Sequence, residues 1–429
     1  MTETWNHRLA TAVSRWTAPR RTANGQDIHY PTPSLEKHPA YKSLRKYEMI
    51  GGMIGLKTPF FKTIEGTEGS NTSIDGRPYL NFAWCDYLGL NRAPQLRQAA
   101  KEAIDQYGTC VSASRMVAGQ TPLHEQLETE IAEFLDVDAA LLFVSGHAAN
   151  VSTIGTIMSE DDLIIHDEFV HNSAVIGMRL SRATTKSFRH NDLNHLEELL
   201  REHRGSYGNV LVLVEGLYST EGDLCDLAAV ADLKERYGAW LMVDDAHGTG
   251  VLGKTGRGIM EHCNIDARRV DIWMGTLSKT LASVGGYIAG SKTLIEILKH
   301  TAPGFVFSVG LPPAMTAAAL ASVRLIRAEP DRVERLHKHG QLFLSEAKAH
   351  GLNTGVSSGY GMLPVIAGDV IKSMRLWHRV FARDINPSLI VYPGVPMKAG
   401  RLRFFLTSEH TEDEVKQAVR VTAEELAKL

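Results

Sequence analysis

The chain has 429 residues, and its 46 Lys plus Arg against 49 Asp plus Glu leave a formal net charge of −3, which excludes a broad electrostatic surface for nucleic acid or anionic membrane. Hydrophobic residues make up 44% and charged residues 22%, which excludes wholesale disorder. At roughly 150 residues per domain the length predicts about two or three domains, with a core that stands without disulfides or structural metal.

Residues 1–35 are polar and irregular, end in Tyr30-Pro-Thr-Pro-Ser34, and read as an N-terminal arm without the apolar core of a signal peptide. A helix is predicted from Ser34. After the turn signal Ile74-Asp-Gly-Arg77, Tyr79–Ala83 reads as a short strand. From residue 94 helical patterns alternate with short apolar runs. Leu96–Tyr107 and Thr121–Leu135 have helical spacing, the second with Pro122 in its first turn. The apolar runs are Ala139–Val144, Asp162–Ile165, Val210–Val214, Trp240–Val243, Ile272–Met274 and Tyr287–Ala289. Runs apolar on both faces, separated by helices, predict a mostly parallel sheet covered on both sides. Pro312-Pro313 precedes the Ala-rich stretch Ala314–Ala328 and reads as a hinge into a smaller α+β domain. Its predicted strands include Met362–Ala367 and Leu402–Leu406, and its last helix is Glu412–Ala427.

No apolar run is long enough to span a membrane, and no internal repeat is visible. The cysteines Cys85, Cys110, Cys225 and Cys263 are scattered, with no CxxC pair. That predicts neither a disulfide framework nor a zinc site, and it points to a reducing cytoplasm.

Five segments carry candidate chemistry. Thr276-Leu-Ser-Lys279 follows an apolar run. A lysine at the end of a buried strand is partly desolvated, which lowers its pKa and suits a Schiff base; the alternative is a surface lysine in a polar loop. Val243-Asp-Asp-Ala-His247-Gly-Thr-Gly250 ends a strand with two carboxylates and a histidine. It suits a heterocyclic ligand at a strand end, or a helix N-cap at Asp245, or a metal. Phe143-Val-Ser-Gly146-His-Ala-Ala-Asn150 opens a helix whose backbone N–H groups suit phosphate, or is a plain strand-to-helix turn. His171, in Asp167-Glu-Phe-Val-His171-Asn-Ser173, stacks on a flat ring or is a hydrogen-bonded loop histidine. Strand alternation puts Arg401 and Arg403 of Arg401-Leu-Arg403-Phe-Phe on one face. They clamp a carboxylate there, or are two solvated edge arginines.

Taken in order, seven motifs from Ser145-Gly146 to Arg401-Leu-Arg403 resemble the α-oxoamine synthases, among them Glu215-Gly-Leu-Tyr-Ser219, Thr276-Leu-Ser-Lys279 and Phe307-Ser-Val-Gly-Leu-Pro-Pro313. The resemblance runs from about Tyr41 to the C-terminus. It implies a fold-type I pyridoxal-phosphate transferase, α/β, with a mostly parallel seven-stranded central sheet and a smaller C-terminal α+β domain. Implied boundaries are 1–93 for the arm and the segment leading to the site, 94–313 for the cofactor-binding domain and 314–429 for the small domain. The implied cofactor is pyridoxal 5'-phosphate. The implied reaction is decarboxylative condensation of a small amino acid (glycine, alanine or serine) with an acyl thioester carried by CoA or an acyl carrier protein.

By the same resemblance Lys279 is the Schiff-base lysine and general base. Asp244 pairs with the ring nitrogen, His247 meets the phenolic oxygen with Ser219 nearby, and His171 stacks on the ring; the reaction also needs an oxyanion stabiliser, a part assigned here to His171. Thr276 and the backbone of Gly146 and His147 contact the phosphate. Ser308 contacts it from the neighbouring subunit of a homodimer with shared sites, and Arg403 binds the amino-acid carboxylate. The chain departs from the family at Cys85, where many members have an asparagine near that carboxylate, and at Val111-Ser-Ala-Ser-Arg115, where many are glycine-rich. Two other readings stand beside this one: another fold-type I activity such as an aminotransferase or aldolase, and a non-catalytic subunit, which usually lacks the lysine.

Overall fold

The computed structural model describes residues 33–53 and 55–429. The N-terminal arm falls almost wholly outside the described residues; the helix expected from Ser34 is a short 3-10 turn, Leu35–Lys37, followed by a helix at Pro39–Met53. Three short strands come first, β1 (Gly66–Glu68), β2 (Asn71–Ile74) and β3 (Arg77–Phe82). Seven follow, β4 (Ala139–Phe143), β5 (Leu163–Asp167), β6 (Thr184–Phe188), β7 (Val210–Glu215), β8 (Trp240–Asp244), β9 (Ile272–Thr276) and β10 (Gly286–Gly290). The last three are β11 (Met362–Gly368), β12 (Ile385–Ile390) and β13 (Gly400–Phe405).

The central sheet has seven strands in the order β4-β10-β9-β8-β7-β5-β6. Neighbours from β9 to β6 pair in parallel, and β10 runs antiparallel to both β4 and β9. All six apolar runs became strands of this sheet. Their side chains alternate between two cores: Leu142, Ile165, Val212 and Val243 face one, and Phe143, Ile164, Leu213 and Met242 face the other. Burial on both faces is why these runs carry no polar alternation. β6, which sequence reading missed, is the edge strand; its sequence TTKSF alternates solvated and covered positions and carries little apolar signal.

The second sheet has the order β1-β2-β3-β12-β13-β11. It joins residues 66–82 to residues 362–405, with β3 parallel to β12 through Leu80 opposite Ile385. The helix Pro313–Ala328 starts at the paired prolines as expected, with Pro313 in its first turn, where a missing N–H costs nothing. It packs against the helices Pro94–Tyr107 and Pro122–Leu135. The latter begins with a capping box between Thr121 and His124.

Candidate active site

The functional side chains gather at the carboxyl ends of the central strands, where open α/β sheets bind ligands. Glu215 ends β7, Asp244 ends β8 directly opposite it, and Thr276 ends β9. Lys279 follows in a loop pinned on several sides. Leu277 N donates to Gly285 O at 3.0 Å, Ser322 Oγ to Leu281 O at 2.8 Å, and Thr280 Oγ1 to Thr249 O at 2.9 Å. Burial pushes the Lys279 amine below its ordinary pKa and Arg403 pushes the same way, while Cys85, Asp244 and Glu215 pull it back up. An amine held this way reaches its nucleophilic neutral form more readily than a surface lysine. The surface-lysine reading is excluded.

The polarity of the site is set by one amide. Asn150 Nδ2 lies 2.8 Å from Asp244 Oδ2 and 2.9 Å from Ser173 Oγ. Both amide hydrogens are therefore spent, one on the carboxylate and one on the hydroxyl. Ser173 Oγ in turn lies 2.7 Å from His171 Nδ1, and Ser173 N donates to the same nitrogen at 3.2 Å. Nδ1 is thus an acceptor and the hydrogen of the neutral ring sits on Nε2. Burial lowers the His171 pKa, and Lys279 adds to that against the opposing pull of Asp244, so the ring stays neutral. Asp244 accepts a further bond from Ala246 N at 3.1 Å. Both Asp244 oxygens therefore accept, which suits a carboxylate that holds a proton on a ring nitrogen.

Ser145 caps the helix Gly146–Ile157 by accepting from Ala148 N at 2.9 Å. Gly146 lies so close to β9 that a Cβ there would stand 3.1 Å from Thr276 Oγ1. Thr276 Oγ1 also bonds Gly285 O at 3.0 Å and Ser278 Oγ at 2.8 Å. Gly146, His147 and Thr276 thus come together as expected, at a helix N-terminus suited to phosphate.

The two arginines part company. β13 lies between β12 and β11, so neither is a solvated edge residue. Arg401 is 3% exposed and spent: Nη1 reaches Glu221 Oε1 at 2.7 Å and Thr220 O at 3.1 Å, and Nε reaches Ala399 O at 3.0 Å. Arg403 donates through Nη1 to Ser219 O at 3.0 Å, while its buried Nε has no partner among the described residues. The charge of Arg403 is felt at Cys85, Lys279 and His247, which places it with the cluster. His247 is buried, with Nδ1 2.7 Å from the hydroxyl of fully buried Tyr87. Burial, then Lys279, pushes its pKa well below the ordinary value, so it too is neutral.

Asp245 is no helix cap. Its Oδ2 accepts from Ile259 N at 3.1 Å, and Gly216, Gly248 and Gly258 crowd the carboxyl so closely that a Cβ on any of them would collide with it. Burial raises its pKa to about 8, with Asp244 adding to the rise and the Ile259 bond opposing it. Glu215 is likewise pushed well up, by burial first and Asp244 second, and its Oε1 has no partner among the described residues.

A family model described as aminotransferase class I and II matches residues 77–421. The chain belongs to the aminotransferase class I and II family. The 8-amino-7-oxononanoate synthase of Fervidobacterium nodosum is 40% identical over 361 residues, covering 83% of this chain and 91% of that one. The 8-amino-7-oxononanoate synthase 1 of Bacillus subtilis is 37% identical over 368 residues, covering 85% and 93%. Among solved structures, Sphingomonas wittichii serine palmitoyltransferase superposes with a TM-score of 0.87 at 27% identity, covering 92% of this chain and 98% of that one. The 8-amino-7-oxononanoate synthase of Francisella tularensis gives 0.72 at 27%, covering 82% and 98%. Within the family this chain is an α-oxoamine synthase, and its cofactor is pyridoxal 5'-phosphate.

The residues of this synthase fit that cofactor. The cradle at Gly146 is one a side chain would fill, and Lys279, Asp244, His247 and His171 would supply the amine, the carboxylate, the neutral donor and the flat ring. One expected residue stands apart. Ser308 lines a cleft of about 620 Å³ with Ser112, Ala113, Ser114, Met116 and Val117, and none of the strand-end cluster lines it. Sequence reasoning singled out neither Asn150, Ser173 nor Tyr87 as working residues, although all three lie inside or beside the quoted motifs; what they do depends on bonds to distant residues.

Proposed function

We propose that this chain condenses glycine, alanine or serine with an acyl thioester. The amino acid loses its carboxyl group as CO2, a carbon–carbon bond forms between its α-carbon and the thioester carbonyl, and the free thiol leaves with an α-aminoketone as the other product. Pyridoxal phosphate, when bound, supplies an aldehyde for an amine and a ring that withdraws electrons from the α-carbon. Gly146, His147 and Thr276 would hold its phosphate, and Asp244 would keep a proton on its ring nitrogen. His247 would donate a hydrogen bond toward its phenolic oxygen, with Ser219 beside it.

Arg403, with Nε unspent, binds the substrate carboxylate and fixes the orientation of the α-carbon bonds. Cys85 stands near that guanidinium and shapes the same subsite. Lys279 takes the proton from the α-carbon and returns one after CO2 is lost, a role its lowered pKa favours. His171 presents Nε2–H, and this donor stabilises the oxyanion that develops on the thioester oxygen. Ser308 reaches the site of a second copy, which makes the working unit a homodimer with shared sites. The acyl group arrives on CoA or on an acyl carrier protein.

The observation that carries this reading is the desolvated Lys279 amine at the strand end adjoining Asp244, whose two carboxylate oxygens both accept hydrogen bonds. A non-catalytic subunit has no use for that pair. The test is a panel of amino acids against thioesters of graded length, read by mass spectrometry for the α-aminoketone and by assays for CO2 and thiol. Amino transfer to a keto acid without CO2 would overturn the reading. Lys279→Ala is expected to abolish turnover, by on the order of a thousandfold or more, and to remove the cofactor absorbance near ~420 nm.

A further inference from the structure

We infer that His190 is a positioning residue whose ring clasps the loop carrying His171 to the loop carrying Ser219. The inference rests on the roles proposed above for those two residues. His190 follows the edge strand β6 and touches none of the strand-end cluster. Its Nδ1 lies 3.0 and 3.1 Å from the two carboxylate oxygens of Asp167, and its Nε2 lies 2.9 Å from Asp223 Oδ2. Both ring nitrogens face acceptors, so both carry hydrogen, which only the imidazolium allows. Burial lowers its pKa, but the bonds to Asp167 and Asp223 outweigh that and raise it to about 10.

Each aspartate is built into one loop, Asp167 through its carboxylate and Asp223 through its backbone carbonyl. Asp167 is wholly buried; its Oδ1 accepts from Phe169 N at 2.8 Å, and its backbone O accepts from Val170 N at 3.3 Å. His171 is the next residue. The Phe169 ring lies against His190 with centroids 4.5 Å apart. On the other side Asp223 O accepts from Tyr218 N at 3.0 Å, and Gly222 N donates to Tyr218 O at 2.9 Å. Ser219 sits within that closed turn. Asn191 doubles the clasp, donating through N to Asp167 Oδ2 at 2.9 Å and through Nδ2 to Asp223 Oδ2 at 2.7 Å. The remaining titratable neighbours are Glu168, whose Oε1 accepts from His190 N at 2.9 Å, and Tyr218, whose ring meets the imidazole edge-on. One cation thus holds two buried carboxylates at the rear of the site.

The test uses the full chain and the variants His190→Gln and Asp223→Asn, with three readouts. Histidine ¹⁵N NMR of the cofactor-free chain at pH 8 is expected to show both His190 nitrogens protonated. In the loaded variants kcat is expected to fall about tenfold to a hundredfold, the scale of an ångström of misplacement, with the amino-acid KM moving less than about threefold. The circular dichroism of the bound cofactor is expected to change at full occupancy, because His171 shifts on the ring. A neutral His190 at pH 8 overturns the proposal. So does a folded variant with wild-type kcat and cofactor dichroism. If His190→Gln does not fold, Asp223→Asn carries the same readouts with the histidine in place. Should the wild-type chain show no condensation at all, the proposed function fails, while the NMR result still decides whether the ring is a cationic clasp.

Discussion

Asn150 donates both hydrogens of one amide group, and the arrangement of three further side chains follows from that. Asp244 is held through Oδ2, Ser173 is turned toward His171, and His171 presents Nε2–H. Asn150→Ala removes a bond to a charged group worth about 1.5–3 kcal/mol. Because the bond supports groups that act in the reaction, kcat is expected to fall roughly tenfold to a hundredfold; steady-state kinetics at saturating cofactor would show it, and an unchanged kcat would contradict the relay. Asp245 makes a different prediction. Its pKa of about 8 stands above the ordinary carboxyl value of 3.8, so the folded chain keeps a proton that the unfolded chain releases. Its contribution to stability is full below about pH 4 and is lost as pH rises through about 8. Asp245→Asn, a neutral isostere, is expected to gain stability relative to wild type as the pH of a melting series is raised from 5 to 8. A gap independent of pH would rule out a protonated Asp245.

At the scale of elements, the site depends on how closely the helix Gly146–Ile157 approaches β10. A Cβ on Gly286 would stand 2.5 Å from Gly146 Cα. Gly286→Ala must push the helix N-terminus off the sheet, at a cost of about 1–3 kcal/mol. Weaker cofactor affinity is expected along with the lower midpoint in urea, since the displaced N–H groups are those offered to phosphate; intact affinity would separate the two functions. The same scale shows which elements the sequence reveals. β7, with VLVLVE buried throughout, is legible because both of its faces meet a core. β6 and β12 are not, since TTKSF lies at an edge and INPSLI carries polar residues and a proline among its buried positions.

For the whole molecule we propose that a second copy completes the site. Phe307 is 86% exposed and Val117 83%, on either side of the cleft that holds Ser308. Apolar side chains left bare around a catalytic motif are expected where a second copy packs. Complementation tests this. Lys279→Ala and Ser308→Glu are each expected to be inactive alone. Refolded together at equal amounts they form mixed dimers with one intact site, restoring roughly a quarter of wild-type activity. No recovery, with mixed dimers shown to have formed, would place Ser308 outside the shared site.

The residue types at the strand ends were readable from the linear chain. Schiff-base chemistry needs a lysine, an anion and phosphate donors just past buried strands, and each of these lies within a few residues of the apolar run that positions it. Lys279, Asp244, His247 and Gly146 are all of this kind. Only the tertiary structure decided which of two equivalent arginines is spent, since Glu221, which neutralises Arg401, comes from 180 residues away in the chain. It also decided that residues 66–82 complete a sheet with residues 362–405, that Asn150 sets the tautomer of His171, and that two buried aspartates meet on His190. The reason is common to all four. Hydrogen-bond direction and charge compensation depend on which atoms come within about 3 Å, and the folded path of the chain brings those atoms together from distant parts of the sequence.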